Sequence, residues 1–191
     1  MPEFRPMRRK RQQLSDAESV RILQEATSGV LALLGDEGYP YAVPLSYVYL
    51  PPGAAAEGPR PAEAAATADA PDLGRLIFHS AVAGHKVDAM RACPKASFCV
   101  IQQDEVSEAN FTTFFRSVIA FGTIRILDND QEKLDAIRAL ARRYSPHVPA
   151  EHMNHEIAKG FPHLLMFELR IQHLTGKEAI ELVNAHPHPT A

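Results

Sequence analysis

Hydrophobic and polar positions change period several times along this chain. From Ser15 to Thr27 the apolar residues Ile22, Leu23 and Ala26 form a helical stripe. Ser15 and Glu18 have the spacing of a capping box, in which each side chain satisfies a free backbone donor, and Gly29 closes the helix. Val30 to Leu34 is a short apolar run, Gly35-Asp36-Glu37-Gly38 a turn, and Tyr39 to Leu50 a second strand, which together predict a hairpin. In that second strand Tyr39, Tyr41, Val43, Leu45, Tyr47 and Tyr49 share one face, and Pro40, Ala42, Pro44 and Ser46 share the other. Proline cannot donate to a ladder, so this strand belongs at a sheet edge or carries bulges. Its thin face is either a seat for a flat ring or simply a surface turned to solvent.

Residues 51–74 hold Ala, Glu, Pro and Gly with hardly a large apolar side chain, and read as a disordered insertion in a hairpin loop. Arg75 to Ser80 is the next strand, and Gly84 to Cys93 a short helix stopped by Pro94. Ala96 to Gln102 and Phe111 to Leu127 are strands, the second long enough to bend near Gly122. Asp128 with Gln131 caps a helix through Arg143, with Leu134, Ile137, Leu140 and Ala141 on one face. Glu151 to Lys159 predicts a helix ended by Gly160, Leu164 to Ile171 a strand, and Thr175-Gly176-Lys177-Glu178 follows. The pattern is α+β, mainly β: six to seven antiparallel strands in a barrel with flanking helices. Residues 14–183 form one domain, 1–13 a basic arm and 184–191 a tail.

Composition narrows the function classes. Apolar residues at 46% and charged residues at 23% are those of an ordinary globular chain. The net charge of −3 argues against a nucleic-acid-binding domain, which is normally strongly basic. No window approaches the ~18 apolar residues of a membrane span. Arg8-Arg9-Lys10-Arg11 runs into polar residues rather than an apolar core, unlike a secretion signal, so a cytoplasmic location is expected. Cys93 and Cys99 make neither a disulfide framework nor a zinc set, and read as core fillers.

The Gly-rich nucleotide loops, His-Glu-x-x-His and Gly-x-Ser-x-Gly are all missing. The richest tract runs from Phe78 to Lys86, where a strand passes through small residues into a helix near Gly84. Free N–H groups at a helix start attract anions, Gly84 allows close approach, and Ser80, His85 and Lys86 add side-chain donors. The pattern fits a phosphate cradle or an ordinary capped surface helix.

Four ordered tracts carry a resemblance. Gly38-Tyr39-Pro40-Tyr41-Ala42-Val43-Pro44-Leu45-Ser46-Tyr47, Phe78-His79-Ser80 through Gly84-His85-Lys86, Phe114-Phe115-Arg116-Ser117-Val118-Ile119-Ala120-Phe121-Gly122 and Thr175-Gly176-Lys177-Glu178 resemble the nitroimidazole-resistance (Nim) proteins. Those belong to the wider pyridoxamine 5'-phosphate oxidase-like FMN-binding superfamily. The resemblance implies a split β-barrel that works as a homodimer, with FMN at the subunit interface and a small nitroaromatic molecule as substrate. Pro44, Leu45, Ser46 and Tyr47 would lie beside the isoalloxazine. Phe78, His79 and Ser80 would follow the ribityl chain, and Gly84, His85 and Lys86 would hold the phosphate. Arg116 and Ser117 would reach the flavin from the facing subunit. The vitamin B6 oxidases have an arginine where His85 stands, which implies a weaker, pH-sensitive grip. His79 is the candidate catalytic residue, against the simpler reading of a strand-end histidine bonded to backbone.

Other candidates are weaker. His147, His152 and His155 lack a clear fourth ligand and suit a solvated helix end better than a metal site. His186 and His188 lie in the tail. The basic run from Arg5 to Arg11 is a solvated arm or one that rests on a partner subunit. Two functions compete: an FMN-dependent oxidoreductase, and a split-barrel carrier or sensor of flavin or haem without turnover, with His79 or His85 as an axial ligand.

Overall fold

A computed structural model of the chain describes residues 4–54 and 72–185. Eight antiparallel strands form one sheet: β1 (Gln13–Leu14), β2 (Ser28–Leu34), β3 (Pro40–Ser46), β4 (Val48–Leu50), β5 (Arg75–Ala81), β6 (Lys95–Ser107), β7 (Thr112–Leu127) and β8 (Leu164–Glu178). The helices are α1 (Asp16–Glu25), α2 (His85–Ala92), α3 (Asp130–Tyr144), α4 (Ala150–Gly160) and α5 (Ile180–Ala185). This is the expected α+β barrel class with one strand more, the two-residue β1 paired with Gly176 and Lys177 of β8. No helix among the described residues is long and apolar enough to cross a membrane.

The strand order is β3-β2-β6-β7-β8-β5-β4, so the two ends of the sheet are β3 and β4. These strands are consecutive in the chain and separated only by Tyr47. Covalent chain rather than a ladder therefore completes the ring, which is what makes the barrel split. Tyr47 is 1% exposed and fixes this seam: its hydroxyl donates to the Leu23 carbonyl (2.8 Å) and its N–H donates to the Tyr144 hydroxyl (3.0 Å). The Tyr144 hydroxyl in turn lies within reach of the Tyr47 and Thr27 carbonyls.

Alternation decides what the barrel encloses. Leu31, Leu33, Leu76, Phe78, Phe98, Val100, Phe167 and Leu169 point inward and are almost fully buried. Phe78 stacks on Phe167 at 4.9 Å and meets Phe98 edge-on at 5.1 Å. Outside the barrel, Ile77, Leu127 and Met166 pack under Ala136 of α3. The outward face of β2 and β6 is different: Val30, Leu34 and Ile101 are 38%, 51% and 63% exposed.

Local predictions meet three adjustments. The α3 cap is Asn129, whose side chain accepts from the N–H groups of Gln131 and Glu132, because Asp128 still lies outside the helix. β6 runs on to Ser107 and pairs with Thr112 of β7, so the hairpin is longer than the apolar run within it. β8 continues to Glu178, which makes Thr175-Gly176-Lys177-Glu178 strand rather than tail. The bend at Gly122 is real, with a register shift at Phe121/Gly122. A Cβ there would stand 1.9 Å from the Arg170 carbonyl oxygen, a distance that glycine alone avoids. The expected insertion lies mostly at 55–71 and the tail at 186–191, outside the described residues.

One buried ion cluster ties β5, β7, β8 and α3 together. Glu168, 1% exposed, accepts from Arg125 (3.0 Å) and Arg170 (2.8 Å), and Arg75 stands 3.5 Å away. Arg125 also holds Glu132 of α3 through two hydrogen bonds.

Candidate functional site

β5 leaves the core as it ends. Arg75 to Phe78 are buried, whereas His79, Ser80 and Ala81 emerge, and Val82-Ala83-Gly84 leads into α2. The Phe78 side chain belongs to the aromatic core, not to the surface where a ligand would lie. His79 stands on the opposite side of the strand, across from Met166 of β8. Partial burial, and then the positive charge of Lys86, hold its pKa below 6.5, so the ring is neutral at neutral pH. Burial likewise lowers the pKa of Lys86, which has no ion-pair partner among the described residues. Neither shift is offset by a nearby acid.

The backbone adds donors to the same place. Gly84 has φ 119° and ψ 170°, a conformation strained for any residue with a Cβ, and the space where its Cβ would point is open. It starts α2 without a side-chain cap, and its carbonyl accepts from Val87 (2.8 Å) and Asp88 (3.1 Å). The N–H groups of His85 and Lys86, ahead of these two, have no side-chain cap. Ser80, which pairs with Leu165 of β8, is half-buried. His85 is drawn off to the side: its ring stacks on Tyr41 at 4.1 Å, and Nε2 lies 3.6 Å from the Asp36 carboxylate. That clasp joins α2 to the β2–β3 turn. Asp36 and Tyr41 were not singled out in the sequence, since only the fold brings that turn to α2.

β3 behaves as the alternation requires. Pro40, Ala42, Pro44 and Ser46 are exposed while Tyr41, Val43 and Leu45 pack inward, and the strand is a sheet edge. Tyr47 points into the core, with burial pushing its phenol pKa up. Small side chains therefore line the outward face of Pro44–Ser46, next to the seam. Val48 pairs with Ile77 of β5 just past the seam, whereas Ser46, on its other side, pairs with Ser28 of β2.

Arg116 and Ser117 do not join this group within one chain. They pair with Glu178 and Lys177, whereas His79 pairs with Met166 of the same strand. The intervening length of β8 is roughly 40 Å at ~3.3 Å per residue. Arg116 donates to the buried Glu178 at 2.9 Å, a partner from the Thr175–Glu178 tract. Chains facing each other, not a single barrel, could bring the two groups together.

The remaining candidates assemble nothing comparable. No cluster of three or more metal-ligating side chains occurs among the described residues. His152 instead lines an apolar cavity of about 350 Å³ between α3 and α4, with Ile137, Met153 and Ile157. Cys93 and Cys99 are free and half-buried, and burial raises the Cys99 pKa, the reverse of thiol activation.

A family model described as pyridoxamine 5'-phosphate oxidase matches residues 15–178, from the α1 cap to the end of β8. The chain belongs to this family. No curated protein matches it. Among solved structures, a candidate 5-nitroimidazole antibiotic resistance protein of Bacteroides thetaiotaomicron superposes with a TM-score of 0.63 at 15% identity, covering 87% of this chain and 86% of that one. An FAD-binding protein of Mesorhizobium loti gives 0.55 at 24% identity, covering 88% and 97%. The FAD and haem binding protein of Mycobacterium smegmatis gives 0.60 at 18% identity, covering 93% and 81%. At these identities the likeness is one of fold.

Proposed function

We propose that the chain is a flavin-dependent oxidoreductase that binds FMN as a homodimer and reduces nitroaromatic or similar small molecules. The observation that carries this reading is the closeness of His79 and Lys86 beside a helix start with no side-chain cap, Lys86 having no ion-pair partner among the described residues. That donor set fits a phosphate. The small-residue face of Pro44, Ser46 and Ala42 fits a planar ring next to it. Flavin-binding neighbours of the same fold support the choice of cofactor.

When bound, the flavin supplies the electron transfer, and the polypeptide supplies position and protons. Lys86 and the first-turn N–H groups of α2 hold the phosphate, with Ser80 donating beside them. His85 sets the α2 start against β3 through Tyr41 and Asp36 rather than gripping the phosphate itself. His79 stands where β5 meets the seam and is a proton carrier for the substrate. Arg116 and Ser117 close the site from the partner subunit. The outward face of Val30, Leu34 and Ile101 becomes the dimer interface, since a barrel on its own leaves this apolar surface in water.

A second reading has one observation in its favour: a neutral imidazole at the site mouth is what an axial haem ligand requires. In that case the protein stores or senses a flavin or haem without turnover. The absorption spectrum of freshly purified protein separates the two. Flavin bands, with turnover of a nitroaromatic by reduced nicotinamide, support the oxidoreductase. A Soret band, or bound flavin without turnover, sinks it.

A further inference from the structure

Beyond the barrel, β6 and β7 continue as a ribbon that pairs with no third strand among the described residues. Gln103 to Ser107 of β6 meet Thr112 to Arg116 of β7, while β8 starts its pairing with β7 only at Arg116. An isolated two-stranded ribbon is at best marginally stable in water. This one also carries Val106 at 72% and Phe111 at 98% exposure near its tip. From Gln103 to Phe115 it holds three acids, Asp104, Glu105 and Glu108, and no basic residue. None of the three acids forms an ion pair among the described residues.

The opposite charge lies on the N-terminal arm. Between Phe4 and Leu14 there are five cations, Arg5, Arg8, Arg9, Lys10 and Arg11, and no acid. All five are exposed. Arg9 and Arg11 reach only the neutral amides of Gln12 and Asn184, each at 3.4 Å. The arm is nevertheless anchored and not loose: Phe4 stacks on His173 at 4.4 Å, Gln12 is buried, and Leu14 lies in the core. It is a fixed basic strip.

We propose that the acidic ribbon of one protomer docks on the basic arm of a second copy of this chain. The contact follows from charge complementarity between two surfaces of the same molecule, neither of which forms an ion pair among the described residues. Val106 and Phe111 supply the apolar part that charge alone does not. A two-fold axis makes the contact twice, once from each ribbon. The proposal rests on the homodimer reading above and adds to it the surfaces that set the partner and the salt sensitivity.

Charge reversal tests it with the full chain. The ribbon variant Asp104→Lys/Glu105→Lys/Glu108→Lys and the arm variant Arg8→Glu/Arg9→Glu/Arg11→Glu are compared with the parent and with their combination. Sedimentation equilibrium is run at low and high salt, with circular dichroism melts to establish that each variant folds. Each reversal alone should weaken self-association at least about tenfold at low salt, a difference that shrinks at high salt as screening grows. The combined variant should recover an affinity within about threefold of the parent. A parent chain that is monomeric throughout overturns the homodimer reading itself. A dimeric parent that neither reversal affects, or a combination as weak as the single reversals, overturns this contact alone. Should either triple variant not fold, Glu105→Lys and Arg9→Glu replace them under the same criteria.

Discussion

Lys86 is the residue on which the phosphate site turns, because it combines a lowered pKa with the lack of any ion-pair partner among the described residues. Lys86→Ala is expected to weaken FMN binding roughly 10- to 150-fold, the equivalent of the ~1.5–3 kcal/mol typical of a charge-assisted hydrogen bond. Titration of apo-protein with FMN checks it, and an unchanged dissociation constant would move the phosphate elsewhere. His79 makes a different demand. His79→Ala should keep the flavin and lower turnover about 10²–10⁴-fold, the usual contribution of a general acid or base. A variant that reduces nitro compounds at the parent rate would leave His79 a structural residue. The same histidine fixes a pH dependence. In the free protein its pKa lies below 6.5, and a bound dianion raises it, so binding takes up a proton in that window. FMN affinity should therefore increase as pH falls toward the free His79 pKa, until the phosphate itself takes up a proton. Lys86→Met should move the rise to higher pH by letting the His79 pKa rise. Isothermal titration in buffers of different ionisation enthalpy reads the proton uptake directly.

At the scale of elements, each helix and strand depends on a few local devices. Asn129 starts α3 by accepting two N–H donors, and Arg143 and Tyr144 end it by bonding the carbonyls of Glu25, Ala26 and Thr27 beyond α1. Tyr144→Phe should lower stability by about 1–3 kcal/mol, since the Tyr47 N–H loses its acceptor inside the structure. Chemical denaturation measures this, and a loss below a few tenths of a kcal/mol would mean that water replaces the hydroxyl. Much of this layout was legible in the sequence for physical reasons. The Ser15–Glu18 box is a local signal, and so is the strict alternation from Pro40 to Ser46, which proline confined to an edge. What stayed hidden depends on contacts distant in the chain. Alternation sets Tyr47 on the inward face with Tyr41, Val43 and Leu45, but nothing local tells that its hydroxyl reaches Leu23, or that His85 is claimed by Asp36 and Tyr41. The reach of β6 and β8 past their apolar runs was invisible for a related reason: polar residues can hold a ladder wherever a partner strand is already present.

The whole molecule is tied together by Glu168, where burial drives the carboxyl pKa up but the hydrogen bonds from Arg125 and Arg170, with the charges of Arg125 and Arg75, bring it below 4.5. The unfolded chain therefore binds this proton more readily than the folded one. The stabilisation is complete above the ordinary carboxylate range and is lost as the pH falls through it. Glu168→Gln should remove about 3–5 kcal/mol, because three guanidinium groups are left around a neutral amide, and acid unfolding should then become less steep. Thermal melts between pH 3 and 7 would show it, and a variant as stable as the parent would mean that the buried cluster adds no net stability. The association state is a property at the same scale: light scattering should give twice the chain mass at micromolar concentration. The split in the barrel has a further consequence, one of time rather than of energy. β3 and β4 share no ladder, so the wall can open beside Tyr47 at the cost of the bonds that Tyr47 makes to Tyr144 and Leu23 and of no strand–strand hydrogen bond. Amide hydrogen exchange should accordingly be fastest, among core residues, for Tyr47 and its neighbours along this line, and slowest in β7 and β8. The fissure is the hinge at which such a molecule breathes, and the face where the flavin would lie is built along it.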